Sequence, residues 1–212
     1  VDTGLACDDC GVTIPVGFEF VFYGRPYDQV TVSSNGYLTF GDAGDRLPGR
    51  CIPAGNPPNA LIAPFWDDMV VDPVTRGLDV FYQFDGEKLV VQYDIRRIAT
   101  FDPPYYSFQV QLYPNGDIMF LYDTLGPTTN SATIGIQNGD QTDGLTVVYN
   151  ADYVHDGLAI RFQAFPEWLT VSPTSGVVPP GGTLPVTVQF NSNGLYGGTY
   201  EADIMVSSND PV

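Results

Sequence analysis

A chain of 212 residues with 43% apolar side chains holds enough hydrophobic surface for one domain of ordinary size and a smaller second one, which excludes intrinsic disorder. Its 25 acidic residues stand against 8 basic ones, a formal net charge of −17 with Lys88 as the sole lysine; clustered Lys and Arg of the kind nucleic acid and anionic membranes require are excluded. No apolar run approaches the roughly 20 residues that span a bilayer, and residue 1 does not open a basic start and apolar stretch, so an exported chain is expected to have lost its signal already.

Cys7 and Cys10 are the first landmarks, and Cys51 is the third and last cysteine. No histidine or fourth cysteine completes a zinc set beside the first two, so a disulfide is expected, and with it an oxidising compartment outside the cytoplasm. Cys51 is expected to pair with Cys7 or Cys10, because closing a ring of about 42 residues stabilises by roughly 4 kcal/mol in the chain-entropy model. A tight Cys7–Cys10 bridge with Cys51 free is the alternative.

From Val30 to Phe40 two alternating segments flank Ser34-Asn35-Gly36, a hairpin signal, because Asn and Gly both accept positive φ. Residues 47 to 58 are rich in Pro, Gly and Asn and read as a long surface loop carrying Cys51. Asp85-Gly86 then separates Leu78–Phe84 from Lys88–Tyr93, and Asn115-Gly116 separates Tyr106–Tyr113 from Ile118–Tyr122, giving two more hairpins. Further strands are expected at Thr133–Gln137, Leu145–Tyr149 and Leu158–Phe162. This spacing predicts an all-β, jelly-roll-like β-sandwich over residues 1–163. After Phe165 the pattern changes, with strands expected at Leu184–Phe190 and Gly198–Ser207. Residues 164–212 read as a smaller, incomplete immunoglobulin-like β-sandwich, since fewer than the roughly 100 residues of a full one remain.

Three stretches of the first domain carry a resemblance: Phe20-Val21-Phe22-Tyr23-Gly24, Val32 to Gly41, and Asn59-Ala60-Leu61-Ile62-Ala63-Pro64-Phe65-Trp66-Asp67-Asp68. With Phe108-Gln109-Val110, Asn115-Gly116-Asp117-Ile118 and Ala159-Ile160-Arg161-Phe162, they resemble the nidogen-like β-domains of secreted and surface proteins. The tail resembles Hydin-type immunoglobulin-like modules of bacterial surface proteins through Trp168 to Pro173, Ser175-Gly176, Gly181-Gly182 and Ser207-Ser208-Asn209-Asp210-Pro211. Such modules normally add one strand after the Ser-Asn-Asp-Pro stretch. The resemblances imply a non-enzymatic extracellular or cell-surface module for structure or adhesion, whose partners are copies of itself or other segments of a surface protein.

Several residue groups invite chemistry. His155 lies in a turn with no nucleophile motif to join it. Asp67 and Asp68 adjoin on a strand and so face opposite ways, which prevents them from flanking one glycosidic bond. No cofactor is expected other than calcium, which suits loop oxygens: Asn138, Asp140 and Asp143 form one candidate set, and Asp67, Asp68 and Asp72 form another cluster. Tyr105 and Tyr106, after Pro103-Pro104, are a candidate sugar-stacking platform, which keeps open the rival reading of a carbohydrate-binding accessory module of a secreted hydrolase. Thr128, Thr129, Ser131 and Thr133 are candidates for O-linked sugar. For the incomplete second domain, a strand from outside residues 165–212 is expected to fill the missing edge, donated by a neighbouring copy or supplied by a longer polypeptide from which this sequence is cut. Val12, Thr13, Ile14 and Val16 have the β-forming character such a donor needs, and head-to-tail donation builds fibres.

Overall fold

The structure is a computed structural model that describes residues 1–41, 49–55, 58–98, 105–164, 168–192 and 201–209. The chain divides into two compact units, Val1–Phe162 and Gln163–Val212.

Strands of the first unit form where β-branched and aromatic residues meet glycine turns. In chain order they are β1 (Gly11–Phe22), β2 (Arg25–Ser33), β3 (Tyr37–Thr39), β4 (Leu61–Trp66) and β5 (Met69–Val70); a single helical turn, α1 (Pro73–Arg76), follows. Next come β6 (Val80–Phe84), β7 (Leu89–Arg97), β8 (Tyr106–Leu112), β9 (Ile118–Thr124), β10 (Thr133–Gln137), β11 (Gly144–Tyr149) and β12 (Ala159–Phe162). Every pairing is antiparallel. One sheet runs β1-β2-β3-β4-β10-β11; the other runs β12-β9-β8-β7, with β5 and β6 both pairing with β7.

The two sheets close on one aromatic core. Phe65 of β4 meets Tyr106 and Phe108 of β8 at ring-centroid distances of 5.0 and 5.9 Å, and Phe108 stacks on Tyr93 at 4.9 Å. Each such ring taken fully from water contributes about 1.5–3 kcal/mol. Buried phenols must find acceptors, and these do: Tyr93 donates to the Tyr37 carbonyl at 2.9 Å, Tyr122 to Pro64 at 2.6 Å and Tyr106 to Thr128 at 2.9 Å. Burial pushes the Tyr93 and Tyr122 hydroxyls well above their ordinary pKa. Strand β4 is buried along its whole length because it is covered twice. Ile62 and Phe65 join the central core, while Leu61, Ala63 and Trp66 pack outward against Tyr37 and Ile52.

The N-terminal segment corrects one expectation. Val12, Thr13 and Ile14 pair with Val32, Thr31 and Val30 of the same chain, and Ile14 and Val16 are buried in its own core. A segment whose apolar face already fills its own sandwich is not a spare donor strand. The reason is its alternation: the residues that suit it to a neighbour's groove suit it equally to β2, which lies a short turn away.

The second unit contains β13 (Leu169–Ser172) and β14 (Thr187–Phe190), paired antiparallel from Leu169↔Phe190 to Ser172↔Thr187. Trp168 stacks on Phe190 at 6.1 Å. Strand β14 starts at Thr187 rather than at Leu184. Of the strand expected over 198–207, residues 201–207 form none and 198–200 lie outside the described residues. β-Forming residues alone do not make a strand; a ladder partner has to meet them.

Candidate functional site

The turn joining β2 to β3 is where the first unit concentrates its polar chemistry. Ser34, Asn35 and Gly36 are buried, which is unusual for a hairpin turn. Gly36 holds φ +72°, and a Cβ there would collide with the Phe65 carbonyl oxygen, so only glycine fits. The buried polar groups are satisfied by what packs on them. Ser34 N–H donates to the Cys10 carbonyl at 2.8 Å, Cys10 N–H returns to Ser34 Oγ at 3.0 Å, and Met69 N–H donates to Asn35 Oδ1 at 2.9 Å. The Asn35 amide in turn donates to Asp9 Oδ1 at 3.0 Å.

A disulfide holds the segment that docks there. Cys7 bonds to Cys10, with Cα atoms 6.2 Å apart, and Cys51 is a free, exposed thiol. The expected link from Cys51 to either residue is therefore corrected. Loop entropy ranks rings by size but not by reach: residues 7–10 lie on the Ser34–Gly36 turn, whereas the Cys51 loop is tied to β10, where Thr133 Oγ1 donates to the Arg50 carbonyl at 2.9 Å.

Between the two cysteines Asp8 and Asp9 are presented to Asp68. Val71 N–H donates to the Cys7 carbonyl at 3.1 Å and Asp8 bridges to Val70, so the N-terminal turn lies along β5. Asp8, Asp9 and Asp68 each place one carboxylate oxygen within 4.8 Å of the others, the one group of three acid, histidine or cysteine side chains so arranged among the described residues. Burial raises the pKa of Asp68, with Asp8, Asp9 and Asp67 adding to the shift and Arg97 opposing it. Chemically the trio is a set of hard oxygen donors of the kind divalent cations take. Asp67 turns the other way, into the interior: it pairs with Arg97 at 3.0 Å and accepts from Ser131 Oγ at 2.7 Å and from Asp68 N–H at 2.9 Å. Asp72 pairs with Arg96 at 3.7 Å, so the cluster expected from 67, 68 and 72 is not the one the fold assembles.

The other sequence candidates are placed as follows. Asn138 Oδ1 accepts from the amides of Thr142 and Asp143 at 3.0 and 3.2 Å, closing its loop, and Asp140 pairs with Arg25 at 3.1 Å on the surface. Of the expected calcium set of Asn138, Asp140 and Asp143, one member thus caps a turn and another pairs with a cation of the protein. Tyr106 is buried against Phe65 and Tyr105 is exposed, so the two do not form a common platform, because neighbours on a strand face opposite ways. Thr133 is buried, and Ser131 and Thr129 bond to Asp67 and Asp152. His155 is exposed and hydrogen-bonds the Asp156 carbonyl through Nδ1 at 2.9 Å. Sequence reasoning missed Asp8 and Asp9; the available signal was two acids bracketed by two cysteines.

Two antiparallel sheets over one core, with buried polar side chains engaged in fixing turns and loops, define this unit as a β-sandwich scaffold. A family model described as NIDO related matches residues 2–162, up to the last residue of β12, and the chain belongs to this nidogen-related family. Nidogen-related domains are extracellular structural modules, a family not known for catalysis. Comparison with curated proteins and with solved structures gives no match.

Proposed function

We propose that the protein is a non-catalytic adhesion or surface-display module, exposed at the cell surface or outside the cell. Residues 164–212 are its adjoining Hydin-type immunoglobulin-like module, and its partners are copies of itself or other segments of a surface protein. The observation that supports this is how the family-matched unit uses its buried polar groups. Asp67 ties β4 to Arg97 and Ser131, Gln137 holds the backbone of Ala54 and Pro58, and Asn35 joins the N-terminal turn to β5. Groups held this way rigidify a scaffold, whereas a catalytic acid or nucleophile needs an unengaged face toward a substrate. The net charge of −17 keeps such a scaffold soluble and away from anionic surfaces.

The test is to label intact, unpermeabilised producing cells with antibody against the protein and to measure attachment of protein-coated beads. Labelling at the outer surface, removed by added protease, together with bead attachment above an albumin control, is the expected outcome. Label that emerges only after permeabilisation overturns the reading.

A further inference from the structure

The outer face of the second sheet carries a groove of about 300 Å³ that none of the chemistry above uses. Phe81, Gln83, Asp85, Val90, Gln92 and Gln109 contribute to its lining. Strand register sets three of these in one row, Phe81 of β6 beside Gln92 of β7, and Gln92 beside Gln109 of β8. The row spans two strand spacings, about 10 Å.

Hydrogen bonds on the far side of the row fix what the two amides offer. Gln92 Nε2 donates to the Tyr93 carbonyl, Asp94 Oδ1 and Ser107 Oγ at 3.0, 3.0 and 3.1 Å, which turns its Oε1 outward as an acceptor. Tyr113 donates to Gln111 Oε1 at 2.7 Å, so Gln111 presents its Nε2, and that group donates to Gln109 Oε1 at 3.0 Å. Gln109 is left with Nε2 as a donor toward the groove. A fixed acceptor beside a fixed donor matches adjacent hydroxyls, since each hydroxyl can both give and take a hydrogen bond. Phe81, 41% exposed, adds a flat apolar surface at the end of the row. The charged side chain among the six is an acid, Asp85, whose carboxylate pKa is lowered by the amides of Glu87 and Lys88 at 2.9 Å each; Val1 also lines the groove, its nitrogen donating to the Tyr82 carbonyl at 2.8 Å.

We propose that this groove binds a neutral glycan, with the Phe81 ring under the apolar face of one sugar and Gln92 Oε1 and Gln109 Nε2 taking a pair of adjacent hydroxyls. The inference goes beyond the surface-module reading, and its failure leaves that reading standing. It also relocates sugar recognition from the Tyr105–Tyr106 pair at the start of β8 to the outer face of β6, β7 and β8.

The test applies the full chain to an array of neutral and anionic oligosaccharides and then titrates the best neutral hit against variants. Neutral glycans should bind. Phe81→Ala and Gln109→Glu should each weaken the hit about ten-fold or more, and Tyr105→Ala should leave it unchanged. Gln109→Glu keeps the size of the side chain at a part-exposed position, so its loss of binding reads out the donor rather than the fold. An array with no neutral hit, binding that survives both variants, or anionic glycans bound as tightly as neutral ones overturns the proposal.

Discussion

Strands β7 and β14 alternate equally well, and they have opposite fates. In β7, Leu89, Val91, Tyr93 and Ile95 are buried because β6, β8 and the facing sheet surround them; in β14 all four residues, Thr187 to Phe190, are exposed, and β13 is its one partner strand among the described residues. Alternation says which side of a strand is apolar, but a second layer has to exist before that side becomes an interior. A lone two-stranded ribbon is marginal in water, whereas a closed sandwich is not. The stability of the described structure is therefore concentrated in the nidogen-related unit.

The sharpest way to break that contrast is to remove one ring from each unit. Phe108 is buried between Tyr93 and Phe65, so Phe108→Ala should lower the stability of the main unfolding transition by about 3–5 kcal/mol. Phe190 is 74% exposed, and Phe190→Ala should shift that transition by no more than about 0.5 kcal/mol. Urea denaturation followed by circular dichroism measures both, and equal losses would end the distinction.

A smaller effect is expected from the disulfide, which constrains only the nidogen-related unit. Its ring closes over a sequence separation of 3, for which the chain-entropy model gives about 2 kcal/mol. Thermal unfolding with and without reductant should show a drop of that order. Thiol titration of the unreduced, denatured chain should find Cys51 alone reactive. Peptide mapping that places the reactive thiol on Cys7 or Cys10 instead contradicts the Cys7–Cys10 pairing.

The smallest effect belongs to Asp68. Its folded-state pKa is raised, first by burial and then by Asp8, Asp9 and Asp67, so its ionised form opposes folding. That penalty is fully present above the raised folded value and disappears as pH falls through it to the ordinary carboxylate range. Asp68→Asn should accordingly raise the melting temperature at neutral pH in chelator-treated buffer and lose that advantage in acid. A gain that persists unchanged at low pH would show that carboxylate repulsion is not its cause.

Most of the first unit's strands were legible because local chemistry determines them. Asn35-Gly36, Asp85-Gly86 and Asn115-Gly116 all sit between paired strands with positive φ at the glycine, and β10 occupies Thr133–Gln137 as the alternation predicts. What escaped depends on long-range pairing. Asp8 reaches Asp68 only because Asp8 bridges to Val70, a register that no local pattern encodes. Alternation puts Gln92 and Gln109 on polar faces of their strands, but only the β7–β8 register sets them side by side. The Cys51 pairing failed for a related reason: closure entropy can be estimated from spacing, while the positions of the two ends cannot.

The buried turn between β2 and β3 also divides the protein's hairpins by what they tolerate. At Asp85-Gly86 both residues are exposed, and a Cβ on Gly86 would meet nothing within 4 Å. The same two-letter turn signal at Asn35-Gly36 lies against the Phe65 carbonyl with no room for one methyl group. Foreign peptide spliced into the first position would extend into solvent, whereas at the second it would force the sheets apart. The outward tip of β6–β7 is therefore where this domain is free to change in length and sequence, while the β2–β3 tip is held to its present three residues.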